Sequence, residues 1–528
     1  MASLFRASPS TWRRELLRTS GIYLHGNVKA LGYFYATLYL GTPARRFDLI
    51  VDTGSTMTYM PCADCGDGCG PNHQNLAYDP AASNTSERVA CASENCQCGS
   101  PRCGCRDNGQ TCTYQRSYAE RSSSSGIMFR DVLALHDGAG PGVPVNFGCE
   151  LQETGEIFRQ QADGLIGLGQ SDASVLRQLA RAGVVQERFA MCFGSVDGRG
   201  ALVLGGRGGD AAPAEAGWTP MVRRPRTPFY YNVRIEALAV GGEDLGVGAA
   251  AFDQGYGAVM DSGTTFGYLP TPAYTSFVAA VTRHALARGL NLTDGPEPGF
   301  KDTCFAGAPE YHDGFGLAAV FPTLNITFGG GFTLSLGPLN YLFVHTFGQG
   351  KYCLGVFDNG MAGTVLGGIM FRNVLVDYDV ERQRIGFAHA DCDALGQRIR
   401  PSCGAFAAEL RQAAQAAGDC SAEGASLGTR EDAQGGEAEP AQAGASSSPS
   451  GPAAPAGVKH LMPSLVVLFT GLALVLGLAA VALGLVLRQR WLARAAGRGE
   501  EAPLVGAARP AAKSSQDLEL TPSSAPLV

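Results

Sequence analysis

Leu-Ile-Val-Asp-Thr-Gly-Ser, residues 49–55, sets an aspartate at the end of an apolar, β-branched run with a glycine two positions on. The same pattern returns at 258–264 as Ala-Val-Met-Asp-Ser-Gly-Thr. Each copy is answered far downstream by two apolar residues and a glycine: Leu165-Ile166-Gly167 for the first, Val365-Leu366-Gly367 for the second. An internal repeat of this length implies two lobes of like fold, each presenting one Asp at a strand end. Around these motifs, from 31 to 390, alternating or β-branched runs separated by Gly and Asn dominate: FYATLYL (34–40), FDLIVD (47–52), FYYNVRIEALAV (229–240), LNITF (324–328) and RIGFAHA (384–390). Helical periodicity is confined to short stretches at 174–183 and 272–286. The expected fold class is mostly β and bilobal.

The duplicated motif has a chemistry. A lone exposed Asp titrates near about 4 and activates nothing. Two carboxyls held against each other cannot both ionise easily, so they share a proton over a wide acid range. The ionised partner can then take a proton from a water while the protonated one polarises a carbonyl. Asp52 and Asp261 are therefore the candidate catalytic pair. Gly54 and Gly263 permit a sharp turn and close backbone approach. Ser55 and Thr264 are placed to hydrogen-bond the carboxylates from outside, and Thr53 and Ser262 to reach the opposite loop and lock the geometry. This mechanism requires no metal and no organic cofactor, and none is expected.

At these residues the sequence closely resembles the pepsin-like aspartic protease family, whose hallmark is an Asp-Thr/Ser-Gly pair in two lobes. The resemblance covers 31 to about 392. It implies an aspartic endopeptidase acting on a polypeptide laid across a cleft, with apolar side chains flanking the cut. Tyr59 stands where many members carry Trp, packed behind the active site. Ser117-Tyr118-Ala119-Glu120, followed by serines and Gly126, is similar to the hairpin flap that closes over substrate, making Tyr118 the flap tyrosine. Its bland alternative is a core strand tyrosine. Ile50 beside Asp52, with Ile127 and Phe129 after the flap, are candidate pocket walls, although apolar strand residues are more often core. TVLGGIMFRNVLVDYDVERQRIGFA (364–388) looks like the family's second-lobe ending, and Cys304 and Cys353 resemble its second-lobe disulfide. The cysteine-rich insertion after Pro61 and Phe147-Gly148-Cys149 are similar to the plant nepenthesin-like branch. The flap departs from the family in reading Ala-Glu-Arg-Ser where many relatives carry glycines. Two other readings compete: a catalytically silent pepsin-fold binding or receptor ectodomain, and a cysteine-rich adhesion protein in which the repeat is incidental. The second explains an anchor and the cysteines but not the repeat.

Composition bounds the rest. The chain has 528 residues, 41 basic against 48 acidic, a net charge of −7 and only 17% charged residues. A mildly acidic chain with no basic cluster in its folded region is unsuited to phosphate backbones, so no nucleic-acid partner is expected. Of 16 cysteines, nine crowd between Cys62 and Cys112. Cys62-x-x-Cys65 could open a zinc site, but the run continues with one- and three-residue gaps and offers only His73 as a nitrogen ligand. The spacing favours disulfides and an oxidising compartment. Connectivity is open, but nine is odd, so at least one of these cysteines pairs outside the cluster if all are paired. Sequons at Asn84, Asn291 and Asn325 fit the same compartment.

Residues 465–487, LVVLFTGLALVLGLAAVALGLVL, carry no charge and would span about 35 Å as a helix. Arg488, Arg490, Arg494 and Arg498 follow, which places the C-terminal side in the cytosol. A single-pass type I membrane protein is expected, a monomer with its catalytic part luminal or extracellular. The expected organisation is an N-terminal segment (1–30), a first lobe (31–215) with a cysteine-rich insertion (62–112), a second lobe (216–398), a low-complexity linker (399–460), a transmembrane helix (461–487) and a cytosolic tail (488–528). The first 21 residues lack the apolar core of a secretory signal. We therefore expect the natural protein to begin upstream of Met1, with a signal and any prosegment lying there.

Overall fold

The computed structural model describes residues 21–399 apart from 28–30, 100–101, 136–141, 196–197, 206–215, 296–301, 310–313 and 345–349. The strand Tyr33–Leu40 alternates half-buried and buried residues, as a sheet with one packed face requires. It pairs antiparallel with Arg45–Asp52, which is buried continuously from Phe47 onward. That continuity has a cause: Arg45–Asp52 is an inner strand, flanked on its other side by Gly164–Gly167 running parallel. The register sets Gly167 opposite Asp52. The short strand Tyr59–Pro61 then crosses back antiparallel, Tyr59 opposite Leu165.

The second half repeats this construction. Ala258–Asp261 runs parallel to Thr364–Gly367 with Gly367 opposite Asp261, and Gly267–Leu269 crosses back with Tyr268 opposite Val365. The downstream glycines of the repeat are thereby explained. A Cβ on Gly167 would lie 2.6 Å from the carbonyl carbon of Met57, and one on Gly367 would lie 2.7 Å from Thr264 O. Neither backbone could pass so close with a side chain present.

A fifteen-stranded sheet carries the first half and also recruits chain from the far end. Val374–Asp379 pairs with Arg188–Phe193 on one side and Arg384–His389 on the other. The second half's remaining strands form one five-stranded and two four-stranded sheets. A single apolar core runs through both halves. At their junction Phe189 stacks on Tyr378 at 4.4 Å, with Tyr231 edge-on to both rings.

The hairpin Thr111–Ser117 and Ser123–Ala134 turns through residues 118–122, closed by Tyr118 N donating to Ser122 O at 2.9 Å. Beneath it lies a second core of Met57, Tyr59, Tyr114, Met128 and Leu165, walled by Cys98 and Cys112. Disulfides join Cys65–Cys69, Cys91–Cys105, Cys96–Cys112 and Cys98–Cys103 within the insertion. The odd ninth cysteine, Cys62, bonds outside it to Cys149. Cys192–Cys392 ties the first half to the helix Cys392–Ile399, and Cys304–Cys353 joins directly opposed strand residues. Asn84 and Asn291 are exposed; Asn325 is half-buried on an inner strand with its Oδ1 buried. The expected linker, transmembrane helix at 461–487 and tail lie outside the described residues, as do Cys403 and Cys420. Among the described residues no helix is long and apolar enough to cross a membrane.

Candidate active site

Each Asp sits where a buried strand breaks into a tight turn, so the turn's own amides and hydroxyls are free to bind it. Gly54 N donates to Asp52 Oδ1 at 2.7 Å and Ser55 Oγ donates to Asp52 Oδ2. In the second turn Gly263 N donates to Asp261 Oδ1 at 3.0 Å and Thr264 Oγ1 to Asp261 Oδ2 at 2.8 Å. The two turns then interlock. Thr53 Oγ1 donates to Met260 O and accepts from Ser262 N, both at 2.9 Å. Ser262 Oγ donates to Val51 O at 2.8 Å and accepts from Thr53 N at 3.0 Å. Four hydrogen bonds thus join the two turns, each of the two buried residues Thr53 and Ser262 donating one and accepting one through its hydroxyl.

The interlock presses each carboxyl against the opposite glycine. A Cβ on Gly54 would stand 2.8 Å from both oxygens of Asp261, and one on Gly263 would stand 2.9 Å from Asp52 Oδ2. Only glycine fits, and the two carboxyls come within hydrogen-bonding reach of each other. Asp52 is 5% exposed. Burial raises its pKa, and the charge of Asp261 raises it further. Burial raises Asp261 as well, against the hydrogen bonds from Thr264 and Gly263. The two acids, one buried and one half-buried, are thus in contact and both shifted upward.

The hairpin closes over this pair. Tyr118 Oη lies 2.7 Å from Tyr59 Oη and comes near Ser55, whose hydroxyl donates to Asp52. Tyr59 is fully buried behind the site, its ring stacked on Tyr114. Glu120, at the hairpin's tip, is raised by burial and by Asp261, and it faces Tyr268 of the second half. Ile50 is buried next to Asp52, while Ile127 and Phe129 lie in the main core.

Several residues at the site carry no motif. Tyr230 and Tyr256 come near the pair from the second half, and Tyr378 comes near Thr53 from behind. Arg116 buries its guanidinium under the hairpin and donates to Cys98 O. Nothing in local sequence marks these; they converge through strand pairings that only the folded chain reveals.

Residues 34–206 match a family described as xylanase inhibitor N-terminal, and 230–389 one described as xylanase inhibitor C-terminal. Aspartyl protease family protein 1 of Arabidopsis thaliana is 33% identical, over 69% of this chain and 69% of its own. Aspartic proteinase 39 of the same plant is 29% identical over 74% of this chain and 81% of its own. Aspartic proteinase nepenthesin-2 of Nepenthes gracilis is 28% identical over 69% and 78%. With the duplicated Asp turns and these relatives together, the chain belongs to the pepsin-like aspartic protease family, in its nepenthesin-like branch, and is an aspartic-type endopeptidase.

Proposed function

We propose that Asp52 and Asp261 hydrolyse peptide bonds as a proton-sharing pair, with an optimum at acidic pH. The observation that carries this reading is the reciprocal seat of each carboxyl on the other turn's glycine. In the ground state one carboxyl is ionised and the other protonated. The ionised one takes a proton from a water held between them, the oxygen attacks the scissile carbonyl, and the protonated one donates to the carbonyl oxygen. Collapse of the tetrahedral species breaks the C–N bond as a proton passes to the leaving amine, and the pair returns to its single shared proton. Tyr118 closes the hairpin over an extended polypeptide, excluding bulk water from the charged steps. The matching family carries an inhibitor's description, but both Asp turns here keep every hydroxyl and glycine that catalysis uses, which favours turnover over silent binding.

The same reading sets the enzyme in an oxidising lumen or outside the cell, consistent with seven disulfides among the described residues. It has the enzyme held there as a type I monomer by the apolar run at 461–487, with the two lobes at 31–215 and 216–398. Acid-pH cleavage of a peptide pool, inhibited by pepstatin, tests the enzymatic part. Pepstatin binding without any cleavage between pH 3 and 7 would favour the silent fold instead. Protease protection of a C-terminally tagged full-length protein tests the topology: the tag is digested only from the cytosolic side.

A further inference from the structure

The sheet behind the hairpin contains a second pair of buried acids that the peptidase mechanism does not use. Glu150 and Glu153 lie on the strand Val143–Thr154, which packs against the hairpin's return strand with Glu153 opposite Ser124. Glu150 is 0% exposed and Glu153 4%. Gly70 N donates to Glu153 Oε2 at 2.8 Å, and His73 Nε2 lies 3.3 Å from the same carboxylate. His73 is fixed from its other side by Ala162 O, 2.8 Å from Nδ1. Both oxygens of Glu150 are buried without a donor, and Oε1 of Glu153 is met only by His73 Nε2, at 3.3 Å. Such orphaned acceptors are costly, and one proton on Glu150, donated to Glu153, turns two facing acceptors into a donor and an acceptor. The neighbouring sulfur, Cys69, is bonded to Cys65, so these groups are not a thiolate metal site.

The surrounding charges agree. His73 faces Glu153 and Asp163; burial opposes its charge, but these acids outweigh burial and raise its pKa. Glu153 faces His73, Glu150 and the Gly70 amide, which together overcome burial and hold it below the usual carboxylate range. Glu150 faces Glu153, Ser124, Tyr59 and Tyr114; burial and Glu153 push it well up. Arg116 lies beyond Tyr114. Ser124 Oγ in turn meets Tyr114 Oη at 3.0 Å, and the Tyr114 ring stacks on Tyr59, which holds Tyr118.

We propose that His73, Glu153 and Glu150 form a proton-holding lock at the root of the flap, in which a neutral Glu150 bonds an ionised Glu153 paired to His73, positioning Tyr59 behind the Asp pair and, through it, Tyr118 over the pair. These are positioning residues; none touches substrate. When His73 loses its proton, Glu153 is left without its counter-charge and the insertion loop loosens from the strand that backs the flap, so flap closure weakens as pH rises.

The kinetic arm of the test rests on the endopeptidase reading; the spectroscopic arm does not, so an inactive protein would count against that reading alone. Infrared difference spectra of the full-length protein near pH 7, wild type minus variant, should show a protonated-carboxyl C=O component, separate from that of the Asp pair, that is lost in Glu150→Gln and persists in Glu153→Gln. Glu150→Gln should fold and keep wild-type kinetics, because an amide reproduces a neutral acid. His73→Gln should raise KM roughly five-fold at pH 5, a loss of about 1 kcal/mol, flatten the rise of KM between pH 5 and 8, and leave kcat within about two-fold. An unchanged band in Glu150→Gln, failure of that variant to fold, or a wild-type pH dependence of KM in His73→Gln would each overturn the proposal.

Discussion

The interlock between the two Asp turns yields a quantitative prediction. Thr53→Ala removes one hydroxyl that donates to Met260 O and accepts from Ser262 N, both at 2.9 Å in a site closed to water. Two buried backbone groups lose their partners, and each such loss costs about 1–3 kcal/mol. Taking the middle of that range, Thr53→Ala should destabilise by about 4 kcal/mol, whereas Thr53→Ser keeps the oxygen and should cost less than about 1.5 kcal/mol. Ser262→Ala strands Thr53 N and Val51 O in the same way. Because the hydroxyls share one joint, the double variant should cost less than the sum by about 1 kcal/mol or more. Urea unfolding, followed by fluorescence and by residual activity, reads all four proteins, and kcat of Thr53→Ala should fall at least roughly ten-fold as the carboxyls lose their fixed spacing. A Thr53→Ala protein within about 0.5 kcal/mol of wild type, the level of an ordinary surface change, would refute the reasoning, as would strict additivity.

Three further outcomes follow from the same geometry. Tyr118→Phe deletes the hydrogen bond to Tyr59; kcat/KM should drop roughly ten-fold, about 1.4 kcal/mol, with the urea midpoint little changed. The Asp pair is raised on folding, so between the unfolded value near about 4 and the raised folded values the native state binds more protons than the unfolded chain. Their contribution to stability therefore falls as pH rises through that window, and the alkaline limb of kcat/KM should lie above the ordinary Asp range; a limb near about pH 4 would contradict it. Cys304→Ser opens a crosslink spanning 49 residues and should cost roughly 4 kcal/mol on chain-entropy grounds, measurable as a lowered Tm.

What could be read from the sequence was whatever repeats or turns. Asp52, Asp261, Gly167 and Gly367 were legible because two copies of one construction put the same residue types at matching places. The roles of Thr53 and Ser262 followed from the chemistry of a hydroxyl beside such an Asp. Tyr118 was legible through the flap's resemblance, and the odd cysteine count required a partner outside the insertion without naming Cys149. The pairing of Val374–Asp379 with Arg188–Phe193 carried no local signal, since any buried strand can join another. Glu150 and Glu153 were invisible for a different reason: a glutamate reads as surface until its burial is known. His73 stood out only as a lone nitrogen ligand among cysteines; in the fold it serves a carboxylate instead.

The central claim is that two carboxyls, one from each half, share the work of a single proton. Cleavage of a peptide pool at acid pH by wild type, Asp52→Asn and Asp261→Asn tests it most directly, with circular dichroism confirming that the variants fold. Each substitution replaces a proton-sharing acid by an isosteric amide, so loss of cleavage to at most about one thousandth of wild type is expected for both, as for removal of any essential member of a catalytic unit. Substantial cleavage surviving either single substitution would contradict the account.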